Sequence, residues 1–361
     1  MLNRNGVRLR LSVCMAAVIV ATLLSFTACA AQTVVFRDAV EVKFPSETDC
    51  NSPAHWDGDT FYIFTSSSAP SRSQGPDVLN LSGTMRSLYD NEGKVSGGRW
   101  IECTCLCDNG TLYGWYHNEP QGLLPGSHLT APRIGAVRST DNGATWTDLG
   151  FILDAPEGSI DPTAKNGYFL GGNGDFSSML DAKGKYMYFF ISTYAGSISE
   201  QGISVARMEW SDRDKPVGKV WKYRKGSWKE PGLGGHVSPV FSAVIRWQEE
   251  KPKAFWGPSI HWNTHLKRYV ILMNQVNGGP GWPQDGIYAS FCRTLDDPRS
   301  WSRPKKILES TGGGSPWYPQ VIGLDFGAKE TDKLCGQRGR FFQHGASTRE
   351  IIFLRDGEAA P

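Results

Sequence analysis

Very little in this 361-residue sequence points toward nucleic acid, membrane spanning or helical packing. The formal net charge is only +2. Removing residues 1–30 takes away three arginines and no acid, which leaves −1 and no basic stripe of the kind that tracks a phosphate backbone. One long apolar run occurs, Leu11–Phe26, and it is too short for a comfortable membrane span. Beyond it no stretch repeats with the period of an amphipathic helix. No Cys-x-x-Cys pair is present, so no cation is called for by ligand spacing.

The apolar run has another use. Arg4, Arg8 and Arg10 precede it and "TACAAQ" follows, with Ala28-Cys29-Ala30 as a small-residue cleavage site. That order is a secretion signal. The expectation is an exported protein, periplasmic or extracellular, with residues 1–30 removed and residues 31–361 forming one domain. Cys29 offers a lipoprotein alternative. Six cysteines remain after cleavage, and in an oxidising compartment they allow fifteen pairings among which the sequence does not choose.

What is abundant is glycine, 41 residues, together with 13 Trp, 12 Tyr and 17 Phe. Turn residues among short aromatic runs favour β-structure. Four segments share one pattern: "SPAHWDGDTFYIFTS", "CTCLCDNGTLYGWYH", "SSMLDAKGKYMYFFIS" and "PSIHWNTHLKRYVILMN". Each reads as a hairpin, with Asp57, Asp108, Asp181 and Asn263 marking the turns. A second strand pair follows three of them, so each unit makes a four-stranded sheet. Repeated sheets of this kind read as an all-β propeller. A fifth unit runs from "WYPQVIGLD" to "REIIFLR", completed by the early strand "TVVFRDAVEVKF". Five blades is the expected count, with six as the alternative.

"STDNGATW", Ser139–Trp146, matches the Asp-box of sialidases and related propellers. Asp141 and Ser139 suit turn amides, Gly143 accepts positive φ, and Trp146 suits packing between strands. In the propellers that it resembles, this turn lies on the face opposite the ligand, so Asp141 is expected to be structural. "TLDDPRSW" is a degenerate echo, with Pro298 in the glycine position. Neither an Arg-Ile-Pro motif nor an arginine triad accompanies them.

Aligning the hairpins on their turns reveals acids. Six residues before Asp108 and Asp181 stand Glu102 and Asp175; six before Asp57 is Asn51, with Asp49 two further back. Three successive blades therefore begin near the axis with an acid, as glycoside hydrolysis by paired carboxylates requires. The arrangement resembles the five-bladed propeller glycoside hydrolases of families 43, 62 and 32, and "WIEC" looks like the Glu-Cys acid/base motif of family 32. It falls in the second blade rather than the third, and neither Asn-Asp-Pro-Asn nor Arg-Asp-Pro is present. The resemblance implies Glu102 as general acid, Asp49 as base or nucleophile and Asp175 as the stabilising carboxylate. Glu119, returning to the same mouth beside His117, is the rival acid.

The same topology brings Arg72, Tyr194, Trp282, Asp285, Trp317 and Tyr318 toward the mouth. With Asn51 and His117 they are the expected sugar contacts, since aromatic faces suit apolar C–H faces of sugars. No cofactor is expected; structural calcium is compatible with the acids but not demanded. The expected partner is an oligo- or polysaccharide, bound by a monomer. The alternatives are a non-catalytic carbohydrate-binding propeller and a sialidase-like enzyme, the latter needing arginines around a tyrosine. Cys103, Cys105 and Cys107 are expected as small apolar residues on one buried face: same-face neighbours lie about 6.5–7 Å apart in a strand, too far to converge within about 2.3 Å of one zinc.

Overall fold

The computed structural model describes residues 33–279, 281–310 and 317–359, so the expected signal segment lies outside the described residues. Five antiparallel sheets form a five-bladed β-propeller. Blade I contains Ala54–Asp57, Thr60–Ser66, Pro70–Gly75 and Ser82–Arg86. Blade II contains Gly98–Leu106, Leu112–Glu119, Arg133–Ser139 and Thr145–Leu153, with the short Leu88–Tyr89 added in parallel outside. Blade III runs through Asn173–Leu180, Tyr186–Thr193, Gly202–Glu209, Val220–Arg224 and Ser227–Pro231. Blade IV has Lys253–Asn263, Arg268–Asn277, Gln284–Cys292 and Lys305–Glu309.

Blade V closes the ring. Its strands Pro319–Gly323, Arg338–Gln343 and Ala346–Leu354 are followed outward by Thr33–Lys43 from the other end of the chain, in register Thr33 with Leu354. Pairing the two ends leaves no open seam between first and last blades. Among the described residues the only helical elements are three 3-10 turns, Ile198–Glu200, Trp210–Asp212 and Pro298–Ser300. The last of these lies within "TLDDPRSW" and begins at its Pro298.

Apolar clusters fill the spaces between neighbouring blades. Phe64, Ile101, Tyr116 and Trp146 join blades I and II; Cys103, Trp115, Phe176 and Phe189 join II and III. Cys105 and Cys107 pack against the second cluster, so the three alternating cysteines do act as apolar side chains on one face. All six described cysteines are free thiols.

The first strand of each blade lies nearest the axis, and strand register gives the molecule a mouth and a foot. Gly98 pairs with Glu119 at the mouth end of blade II, whereas Leu112 pairs with Ser139 at the foot end. The Ser139–Trp146 turn is therefore at the foot. There Asp141 accepts hydrogen bonds from the Ser139 hydroxyl at 2.6 Å, the Thr145 amide at 2.9 Å and the Thr145 hydroxyl at 2.7 Å. Asn142 and Gly143 take φ of 53° and 75°, and Trp146 is buried. The axis is also plugged at this end. Leu334–Cys335 pairs in parallel with the inner strand of blade IV, and the adjacent Lys333 donates to the Ser177 hydroxyl of blade III at 3.1 Å.

Candidate active site

Three inner strands carry the same irregularity. In blade II, Ile101 pairs with Tyr116 and Cys103 with Trp115, so Glu102 is an extra residue. In blade III, Gly174 pairs with Ser192 and Phe176 with Ile191, so Asp175 is the extra one. Blade IV slips likewise between Trp256 and Ser259, at Gly257-Pro258, and bears no acid there. A bulged residue leaves the pleat and can be aimed away from both sheet faces. Glu102 uses that freedom to reach the Phe176 amide of blade III, and Asp175 to reach the Tyr318 hydroxyl ahead of blade V.

The two acids meet at His117, on the second strand of blade II. Its Nδ1 lies 3.2 Å from Glu102 Oε1 and 3.9 Å from Asp175 Oδ1, and its Nε2 lies 3.3 Å from Glu119 Oε1. The Asp175 amide donates to His117 Nδ1 at 3.0 Å, and the Phe176 amide donates to Glu102 Oε2 at 2.9 Å. Asp175 accepts from the Tyr194 hydroxyl and from the Tyr318 hydroxyl, the latter at 3.1 Å. Glu102, His117 and Asp175 are close enough together to suggest a cation site. The Asp175 amide occupies the one lone pair of His117 Nδ1, whereas each carboxylate keeps acceptor sites beyond those taken by the Phe176 amide and the phenols.

Exposure separates the carboxylates. The Glu102 side chain is 0 % exposed and the Asp175 side chain 4 %, whereas that of Glu119 is 31 % exposed. Glu119 lines a cleft of about 430 Å³ with His128, Thr130, Tyr168 and Phe169. Asp49, half-buried in the segment leading to blade I, shares this electrostatic environment. Burial, reinforced by the charges of Asp175 and Glu119, lifts its carboxyl to about 7. Burial likewise lifts Glu102 to about 7, against the hydrogen bond and positive charge of His117. Burial opposes a charged His117 ring, yet Glu102, Glu119 and Asp175 together hold it well above the ordinary imidazole value.

The aromatic side chains form one cluster at the mouth. Phe169, Tyr194, Trp256, Trp282 and Tyr318 are its buried members, with Tyr168 and Trp317 half-buried against them. Tyr168 crosses Trp282 edge-on at 4.8 Å between ring centres and Trp317 at 5.8 Å. Asp175, Trp282 and Tyr318 adopt φ of 37°, 50° and 55°, a conformation costly for residues with a β-carbon and concentrated here.

The expected contacts divide accordingly. Asp49, Glu102, Glu119, Asp175, His117, Tyr194 and Tyr318 come together, with Trp317 at the rim. Trp282 is 2 % exposed and spends its indole N–H on the Asn166 carbonyl at 3.0 Å. Asn51 is buried on the axis, where its amide donates to the carbonyls of Phe176 and Pro258 and so ties blades III and IV. Arg72 is directed elsewhere: on the third strand of blade I, it donates to the carbonyls of Asp141 and Asn142 in the foot turn. Asp285 pairs with Lys306 on the outermost strand of blade IV at 2.9 Å. Tyr168, Phe169, His128 and Thr130 are cleft residues that the hairpin frame missed. For Tyr168 and Phe169 the one signal is the Gly-flanked "NGYFLGG" just before the inner strand of blade III. The arginine cluster that a sialidase-like site needs is not formed: among the described residues no arginine bonds to Tyr168, Tyr194 or Tyr318.

No family model matches the sequence, and no curated protein matches it. Solved structures do match in shape. A thermostable family-43 glycoside hydrolase superposes with a TM-score of 0.50 at 12 % identity, covering 87 % of this chain and 92 % of that one. An exo-β-1,3-galactanase from Phanerochaete chrysosporium gives 0.50 at 14 % identity, covering 90 % of this chain but 64 % of the other. An α-L-arabinofuranosidase from Lactobacillus brevis gives 0.52 at 12 % identity, covering 85 % and 90 %. At such identities the likeness is one of fold: the chain shares its five-bladed β-propeller with these glycoside hydrolases.

Proposed function

We propose that this protein is an exported glycoside hydrolase, with Glu119 as general acid and Asp49 as base or nucleophile. The observation that carries this reading is the convergence of four carboxyl groups at one end of the propeller axis, two accessible and two enclosed. Glu119 lines the cleft, whereas Glu102 has no exposed surface with which to meet a glycosidic oxygen. Asp49 is lifted to about 7 partly by the charge of Glu119. Asp49 therefore ionises at about 7 and is available as base or nucleophile above that pH, while Glu119 takes the acid role because its carboxyl is the one that lines the cleft. Glu102 and Asp175 stand behind them as the enclosed partners that set charge and position. Tyr168 and Trp317 offer ring surface to the apolar side of a sugar. Glycosidases of this fold among the structural neighbours agree with that chemistry but do not fix the sugar.

The test is turnover on a panel of aryl glycosides and plant, fungal and bacterial polysaccharides. Glu119→Gln and Asp49→Asn are each expected to lower kcat/KM by roughly 10²–10⁴-fold, the usual range for loss of general acid–base catalysis, while glycan binding remains. Binding by the parent protein with no turnover anywhere on the panel would replace the hydrolase with a carbohydrate-binding propeller.

A further inference from the structure

We propose that Glu102, His117 and Glu119 form a proton relay, in which His117 connects an enclosed carboxyl to the carboxylate that lines the cleft. This rests on the hydrolase reading only for the use made of the proton. The connection itself stands on geometry.

His117 is 3 % exposed and reaches one carboxylate with each ring nitrogen, at 3.2 Å and 3.3 Å. Its Nε2 is buried and off the line of a hydrogen bond to Glu119, so it has no aligned partner. A small turn of the Glu119 side chain would supply one; catalytic hydrogen bonds are often loose before a ligand arrives. The Asp175 amide donates into Nδ1, which places the resting ring proton on Nε2, facing Glu119. Glu102 then holds its own proton 3.2 Å from Nδ1, where it competes with the Asp175 amide for the one lone pair. Burial raises Glu102 to about 7, so it can hold a proton at neutral pH, and the surrounding carboxylates raise the affinity of the His117 ring that receives it.

The transfer balances without any further reactant. The Glu102 O–H bond breaks as an Nδ1–H bond forms, and the Nε2–H bond breaks as a Glu119 O–H bond forms. Glu102 ends as the carboxylate, still held by the Phe176 amide, and Glu119 ends as the acid. The cost is the bond from the Asp175 amide, which loses its acceptor and so returns the relay to rest. The groups facing this path are Asp175 and Cys50 beside Glu102, the phenols of Tyr194 and Tyr318 on Asp175, and Asp49 beside Glu119. On the cleft side, Glu119 neighbours His128 and Tyr168. No lysine or arginine stands among them, so the ring's proton affinity is set by carboxylates.

The experiment is nitrogen NMR of the full chain with labelled histidine, followed through a pH titration of its seven histidines. Wild-type His117 is expected to rest with its proton on Nε2. Glu119→Gln and Glu102→Gln should each lower its proton affinity at least tenfold. Glu119→Gln alters a rim side chain and keeps the test available if the buried variant misfolds. Unchanged His117 titration in Glu119→Gln, or a resting proton on Nδ1, overturns the relay. A second measurement separates relay from reaction. On an aryl glycoside that the parent cleaves, Glu102→Gln should shift the limb of the pH–rate profile that reports the acid, and should slow poor leaving groups more than dinitrophenolate. Coupled titrations with no turnover of any glycoside would sink the hydrolase and leave the relay standing.

Discussion

At the scale of single residues, the site stores carboxyl protons that solvent would take. Asp49 and Glu102 each keep a proton up to about pH 7, against ordinary values of 3.8 and 4.5. An unfolded chain gives those protons up near pH 4, so between pH 4 and pH 7 the fold binds more protons than the unfolded state. The stability from this difference is complete below about pH 4 and is lost as the pH rises through 7. His117, also raised, works in the same direction. Melting temperature should therefore decline from pH 5 to pH 8, and the decline should be shallower in Asp49→Asn, which has no such proton to lose. Parallel curves for the two proteins would mean that Asp49 is not held in the protonated form. Tyr318 tests the enclosing shell. Tyr318→Phe removes one donor to Asp175 and should cost about 1 kcal/mol of stability, read from chemical denaturation, with the ring packing left intact.

At the scale of elements, the hairpin is the unit that the sequence displays most openly, and its foot is plainer than its mouth. Acids and amides of the foot turns such as Asp141 and Asn109 accept bonds from residues two to four positions away, so their spacing carries much of the message. Asp141 is the clearest case: three hydrogen bonds hold the turn, and none reaches the site. Asp141→Ala should lower stability by roughly 1–3 kcal/mol and leave kcat and KM unchanged, as denaturation and steady-state kinetics on the same preparation would show. The mouth is harder to read because its geometry depends on partners far away in sequence. Strict alternation assigns Ile101 and Cys103 to one face, yet they lie in different interblade layers, since Glu102 is inserted between them. A bulge is defined by the strand opposite, which a single strand does not reveal. The acid frame still found Glu102 and Asp175, because counting back from the turn crosses the same bulge in both blades. It misdirected Arg72, whose strand turns it toward the foot. It overlooked Tyr168 and Phe169, which precede a blade instead of belonging to one.

At the scale of the whole molecule, the site depends on a ring that only the two ends of the chain can close. Blades II and III contribute Glu102 and Asp175 from their inner strands, and blade V contributes Trp317 and Tyr318 just ahead of its first strand. The outer strand of that blade is Thr33–Lys43, laid along Ala346–Leu354 with Arg37 paired to Glu350. Val34 and Phe36 pack against the apolar layer between blades IV and V, where Phe341, Ile351 and Phe353 are buried. Removing residues 33–43 would thus uncover one edge of Ala346–Leu354 and unroof that layer at once. An exposed strand edge beside apolar surface recruits other chains. The expected result for a chain beginning at Phe44 is loss of the single sharp melting transition and appearance of oligomers in size-exclusion chromatography. Adding the missing strand back as a peptide should reverse both in part, because the edge it fits is otherwise intact. Activity should fall with the fold, since a loosened blade V releases the Tyr318 hydroxyl from Asp175, 3.1 Å away across the axis. A truncated chain that elutes and melts as the full one does would show that four blades and a three-stranded fifth suffice to hold the ring.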